Sequence, residues 1–334
     1  MQSQQQMIMR KMMNKHAKLK RDGFSNRLLL FIKKNVNSSF TRIKQIKVGV
    51  WLLSGKNKAW IVKEFSSLEK LELQMAFTAA LAEHAFYRSY TFYPKPLIME
   101  NRKLALIQYI KPKKGDDFNY QSSKNIKEAL ILLGKFHGVT SQIASSFKDI
   151  PQFNQIIKWK RRLNDFNELI NQHKETYYYP TLQNLSYTGE WALERMKNNA
   201  SYFTQEPHCI IHGDVADHNF IRDVKGNLNL IDFDLIAIAP SSIDLLQFCN
   251  RILPSLKWKE DALFRFPQLL PYRENKSFLT ALIYPTDIFR EWNQFFKRNK
   301  GKHADTHYME NMTFHFLRER MEFYKTIMKK VDTL

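Results

Sequence analysis

Two short stretches of this chain gather acidic and amide side chains at spacings that chemistry can use. The first reads His212-Gly213-Asp214-Val215-Ala216-Asp217-His218-Asn219, and the second, Ile231-Asp232-Phe233-Asp234, places Asp232 eighteen positions after Asp214. Phosphoryl transfer requires a carboxylate that orients a hydroxyl and accepts its proton. It also requires a second carboxylate and an amide to hold divalent metal on the phosphates. The two stretches supply that set. A second reading starts from the same segment, where His208, His212, Asp214, Asp217 and His218 form a ligand-rich cluster of the kind a metal-dependent hydrolase uses. It lacks a further His-rich segment to complete two metal shells. The plainest reading is a pair of Asx-rich turns that end strands, and several residues matching at two linked spacings weigh against it.

The elements around these loops are read from periodicity. Cys209 to His212, Asn219 to Ile221 and Leu228 to Phe233, with a turn at Lys225-Gly226-Asn227, form a β-like island in a helical half of the chain. Short strands flanking polar loops are where chemistry is usually mounted. Upstream, residues 43–48 and 49–53, the Ser54-Gly55-Lys56-Asn57 turn, and residues 59–65 predict a hairpin-rich sheet, with further strands at 97–100 and 104–110. A helix is predicted over 68–85. After Lys111-Pro112-Lys113-Lys114-Gly115, a second helix is predicted over 125–139, behind capping serines Ser122 and Ser123, with Ile126, Ala129, Leu130, Leu133, Phe136 and His137 on one face. His137 on that face reads as a packing histidine. More helix is predicted over 153–203 and in the aromatic tail, where Trp292, Phe295, Phe296, Phe314, Phe316, Phe323 and Tyr324 read as core in preference to a cation–π pocket.

Composition narrows the class of protein. With 334 residues, 44% apolar and 25% charged, the chain is a globular protein of about two domains or one two-lobed unit. No apolar run approaches the roughly 20 residues of a membrane span, and the first residues lack the apolar stretch of a secretory signal. Cys209 and Cys249 are the only cysteines, which excludes a disulfide framework and a four-cysteine zinc site, suits a reducing, cytoplasmic setting, and reads as two buried small hydrophobes. Lys plus Arg outnumber Asp plus Glu by 52 to 32, a net charge of +20 that favours anionic partners. No helix-turn-helix, zinc finger or RNA-binding motif points to a specific nucleic acid. Residues 1–24 read as a solvated basic extension carrying Arg10, Lys11, Lys15, Lys18, Lys20 and Arg21.

His212-Gly213-Asp214, four residues and Asn219, followed by Ile231-Asp232-Phe233, resembles the motif pair of the aminoglycoside phosphotransferase and choline kinase superfamily. The resemblance implies a protein-kinase-like α+β fold, with a small β-rich N-lobe at 25–110 and a larger, mostly helical C-lobe at 111–334 whose catalytic loops lie at 209–234. It implies an ATP- and Mg²⁺-dependent transfer to a small-molecule hydroxyl, with Asp214 as catalytic base and Asn219 and Asp232 as metal ligands. By the same resemblance His212, Asp234 and Asp244 support the loops. Lys63 contacts the nucleotide phosphates, and Gln108, Tyr109 and Ile110 form the adenine hinge. Two departures stand out: the connection before Lys63 offers only Gly49 in place of a glycine-rich cover, and Glu69, Glu72 and Gln74 lie very close in sequence to be the helix partner of Lys63. Chain texture also resembles the bacterial spore-coat kinase-like group, whose members suggest the alternative of a coat-associated kinase fold with little or no catalysis. Residues 257–334 hold fifteen Lys or Arg against ten acids, which disfavours a cationic acceptor there.

Overall fold

The computed structural model describes residues 23–36, 39–56, 58–299 and 305–334. Apart from Gly23 and Phe24, the basic extension lies outside the described residues. The chain divides into two units, one comprising the described residues up to Thr78 together with Tyr90–Tyr109, the other Ala79–Ser89 with Ile110–Leu334.

The first unit is built on a five-stranded antiparallel sheet. Its strands are β1 (Phe40–Lys47), β2 (Val50–Gly55), β3 (Ala59–Phe65), β4 (Leu97–Met99) and β5 (Arg102–Gln108), in the order β1-β2-β3-β5-β4. Alternation sets the register: Trp51 opposes Val62, and Val62 opposes Leu106, so one face carries the apolar set. That face is covered by α1 (Gly23–Asn35), a helix the sequence reading did not predict. Its buried residues Phe24, Leu28 and Ile32 recur every four positions and join Trp51, Leu53, Val62, Leu104 and Leu106 in one core. Helix α2 (Leu68–Glu83) follows β3. The chain passes between the units after Thr78, within α2, and again after Ser89 and Tyr109.

The second unit is mainly helical: α3 (Ser123–Ile143), α4 (Gln155–Ile170), α5 (Tyr179–Asn198), α6 (Ser242–Ile252), α7 (Glu260–Phe264), α8 (Lys276–Leu282), α9 (Thr286–Arg298), α10 (His307–Phe314) and α11 (Leu317–Thr333). Helix α3 exceeds the predicted span at both ends, and Ser122 sits at its N-cap without a side-chain capping bond; the Ser122 carbonyl, accepting from Ile126 N–H, starts the helix. The β island resolves into two two-stranded antiparallel sheets, β6 (His208–Ile211) with β9 (Ala237–Pro240) and, inserted between them in sequence, the hairpin β7 (Phe220–Arg222) with β8 (Leu228–Leu230). Trp292, Phe296, Phe323 and Tyr324 are buried, so the aromatic tail is core. No described helix is long and apolar enough to cross a membrane.

Candidate active site

The loop from His212 to Asn219 leaves β6 and enters β7, and the loop from Ile231 to Leu235 leaves β8 and enters β9. The two strand pairs therefore bring both acidic loops to one place. Contact between them is close at Gly213, whose φ of +77° is one that glycine adopts freely; a Cβ there would stand 2.1 Å from the Leu235 carbonyl oxygen. Asp234 is exposed on the same short turn as Leu235.

Side chains then lock the loops. His212 is fully buried; its Nε2 donates to the Ile231 carbonyl at 2.9 Å, and its Nδ1 accepts the Asp214 N–H at 3.3 Å. Phe233 stacks on Phe136 and meets His212 edge-on. Asp244, fully buried in the first turn of α6, accepts the N–H of His212 at 2.7 Å and of Gly213 at 3.0 Å. It also contacts His137 Nε2 at 2.9 Å, so the helix-face histidine is the partner of this carboxylate. Burial pushes the Asp244 carboxyl up, yet the hydrogen bond and charge of His137, with His212 and the Gly213 N–H, outweigh it and hold it below the ordinary carboxylate value.

Asp214 projects half-buried from this frame. Arg251, on the last turn of α6, donates to its Oδ1 at 3.0 Å. Tyr120 hydroxyl donates to the Val215 carbonyl at 2.7 Å, fixing the loop one residue further on. Asn219 is buried, and its Nδ2 donates to the Asp214 carbonyl at 2.8 Å, while its own carbonyl accepts from Ile231 N–H at 2.9 Å. Asp232 is thereby placed one residue from a direct link to Asn219. Its φ of +69° is uncommon outside glycine, a strained backbone of the kind that concentrates at functional sites. The donor types suit a hard divalent cation: Asn219 commits its amide nitrogen to the Asp214 carbonyl, so that Oδ1 is the atom it would offer a cation, and Asp232 would offer a carboxylate.

The hydrolase cluster is not assembled. His208 Nε2 bonds the Thr204 carbonyl, both His212 nitrogens are engaged by backbone, and among the described residues no three His, Cys, Asp or Glu side chains are grouped to hold a metal. A polar recess of about 500 Å³ beside Arg222 shares none of the constellation's residues. Its charges are matched internally, Arg222 pairing with Asp116 and Glu128.

Lys63, Gln108 and Tyr109 belong to the sheet unit. Lys63 lies on β3 opposite Val50 and Ala105, with its ammonium 5.3 Å from the Phe65 ring centre. Glu69 and Glu72 are exposed on α2, and Ser67 engages the Glu69 carboxylate, holding it below its usual range. Gln108 ends β5, where its N–H donates to the Thr91 carbonyl; Ile110 begins the longer segment of the helical unit. Val48-Gly49 forms the β1–β2 turn, with Gly49 at φ +73°. Arg251 was not among the residues singled out from sequence. A lone arginine among 52 basic residues gives no local signal, though its position seven residues after Asp244 puts it two turns along the same helix.

No curated protein matches the chain. Solved structures do. An aminoglycoside phosphotransferase from Alicyclobacillus acidocaldarius aligns with a TM-score of 0.70 at 14% identity, covering 89% of this chain and 94% of that one. A choline kinase from Streptococcus pneumoniae gives 0.55 at 14% identity over 94% and 100% of the two chains. A spectinomycin phosphotransferase solved with ADP and spectinomycin gives 0.62 at 12% identity over 90% and 98%. At these identities the likeness is one of fold: a protein-kinase-like α+β fold, with a small antiparallel sheet unit and a larger helical one. The model of the phosphotransferase enzyme family matches residues 46–265, well over half of the chain and every residue of the acidic loops, and the chain belongs to that family.

Proposed function

We propose that the protein transfers the γ-phosphoryl group of ATP to a hydroxyl of a small molecule. The observation that carries this reading is the mutual support of the two acidic loops: Asn219 joins the Asp214 carbonyl to Ile231 N–H, so a base and two metal-binding side chains share one rigid frame. Asp214 orients the acceptor hydroxyl and takes its proton as the new oxygen–phosphorus bond forms. Arg251 holds that carboxylate in one orientation, and Asp244 holds the loop that carries it. Asn219 and Asp232 would hold Mg²⁺, which supplies charge neutralisation on the phosphates. Catalysis then rests on positioning and on fixed charge.

Nucleotide use is supported by the complexes of the structural relatives, solved with ADP, AMP and GDP. In this reading Lys63 meets the phosphates and the backbone at 108–110 meets the adenine. A cytoplasmic setting accords with ATP as the donor.

The test is ADP formation with Mg-ATP and a panel of hydroxyl acceptors. Asp214→Asn is expected to lower turnover by about 10²- to 10⁴-fold, the range of a lost general base, with nucleotide binding retained. Asp232→Ala is expected to lose the Mg²⁺-dependent part of the thermal stabilisation by ATP, which for the wild type is about 2.7 kcal/mol at a ligand concentration one hundred times Kd. Wild-type turnover in Asp214→Asn would sink the assignment.

A further inference from the structure

Alternation along β1 breaks before its last residue, and the break turns a lysine over. Ile43 opposes Leu53 and Gln45 opposes Trp51, so both belong to the face that α1 covers. Strict alternation would send residue 47 to that same face. It does not go there, because Ile46 is an extra residue: the register shifts between Gln45 and Lys47, and Lys47 stands opposite Val50. A bulge of this kind re-aims the side chain that follows it, and bulges concentrate beside functional sites.

Lys47 thereby joins a row that crosses the sheet on the side away from α1, Lys47-Val50-Lys63-Ala105. Strands lie about 4.8 Å apart, so the backbones of Lys47 and Lys63 are roughly 10 Å apart with only Val50 between them. Each lysine carries its ammonium on a flexible four-carbon stem, and the two can close on a group lying over Val50. The neighbouring row on the same side is Lys44-Leu52-Ile61-Ile107, whose inner members are apolar.

Charge on this side of the sheet has one sign. Its strand residues include Arg42, Lys44, Lys47, Lys63 and Lys103 and no carboxylate. Glu64, the one acid in the strands, opposes Leu104 on the α1 side and pairs there with Arg102 at 3.2 Å. Lys103 acts on Glu69 of α2, whereas Arg42, Lys44 and Lys47 have no acidic partner among the described residues. The turn beside Lys47 is two residues long, with Val48 open to solvent and the Gly49 carbonyl accepting Glu64 N–H at 2.8 Å. So short a turn offers few backbone N–H groups to a phosphate chain, and its charge must be met by side chains. A row of ammonium groups beside an apolar row matches a ligand with a polyphosphate at one end and a flat, weakly polar ring system at the other.

We propose that Lys47 is a second phosphate-binding lysine, which with Lys63 grips the polyphosphate of the nucleotide across Val50. Side-chain charge then does what a glycine-rich turn does with backbone N–H groups. This rests on the nucleotide reading above. Because Lys47 is exposed, the grip weakens as salt rises.

The experiment is calorimetric binding of Mg-ATP, adenosine and Mg-tripolyphosphate to the full chain. Lys47→Gln is expected to weaken Mg-ATP and tripolyphosphate binding about tenfold, the worth of one charge-assisted contact, and to leave adenosine unchanged. Lys47→Arg keeps the charge and should retain most of the affinity. Lys34→Gln removes the same charge from the last turn of α1, on the other side of the sheet, and is expected to change Mg-ATP affinity less than about twofold. That control separates a contact at Lys47 from the general attraction of a chain of charge +20. Equal effects of Lys47→Gln and Lys34→Gln on Mg-ATP, or an equal loss of adenosine and ATP binding in Lys47→Gln, would overturn the grip and leave the kinase reading standing. Lys47-dependent tripolyphosphate binding, with no adenosine binding and no ADP formation, would remove the kinase reading and leave the lysine pair as a polyphosphate site. A wild type that binds neither Mg-ATP nor tripolyphosphate would overturn both.

Discussion

Arg251 donates to Oδ1 of Asp214 across 3.0 Å from the same helix whose first turn carries Asp244. Helix α6 thus grips the loop at two points, its backbone through Asp244 and the Asp214 carboxylate through Arg251. Arg251→Gln removes the second grip only. Because a misplacement of about 1 Å can cost on the order of a hundredfold, kcat is expected to fall about ten- to a hundredfold with KM for ATP little changed. Steady-state ADP formation measures this; an unchanged kcat would show that Arg251 does not position the base.

Gly213→Ala should be felt in stability as well as in turnover. A Cβ at 2.1 Å from the Leu235 carbonyl oxygen meets backbone that cannot swing aside as a side chain would, and φ of +77° adds strain of its own. The expected loss is roughly 2 kcal/mol or more, read as a lower denaturation midpoint. A variant as stable as wild type would mean that the two loops can separate freely.

Acid should weaken the helical unit through Asp244. Its carboxyl titrates below the ordinary 3.8 in the folded protein, so the ionised form favours folding. That contribution is complete above the unfolded value and drains away as pH falls below about 4 and on through the folded value. Asp244→Asn is expected to lose about 3 kcal/mol near neutrality, because the loop N–H groups and His137 lose their charged acceptor. Urea titrations of both proteins from pH 7 to 3 should therefore converge at the acid end, and parallel curves would refute the assignment.

Thiol chemistry gives an independent check on the core. Burial pushes the Cys209 thiol up to about 12 and raises Cys249 as well, and both side chains are buried. Since the thiolate is the nucleophile, the native protein should resist alkylation at pH 8, with both cysteines labelled once it is unfolded in urea. Rapid native labelling of either would show an open path into the unit.

Local patterns carried a good deal. The sheet hairpins, α2, α3 and the β island were legible because alternation and helical spacing are properties of neighbouring residues. α1 was not. Its three buried side chains are spread over nine positions of a basic segment, and only the sheet face beneath them gives that spacing a meaning. Ser122 looked like a cap and serves through its carbonyl, since the side-chain bond depends on a rotamer that local sequence does not dictate.

The sequence by itself determined the inventory and order of the acidic loops, and with them the family and fold class, because Asp214, Asn219 and Asp232 stand at short, demanding spacings on one stretch of chain. Only the tertiary structure decided what surrounds them. Asp244 meets His137 across 107 positions of sequence, and Arg251 reaches Asp214 across 37. Electrostatic and hydrogen-bond partners are chosen by distance in space, and in a chain with 52 basic residues no local pattern marks which of them the fold will bring to Asp214.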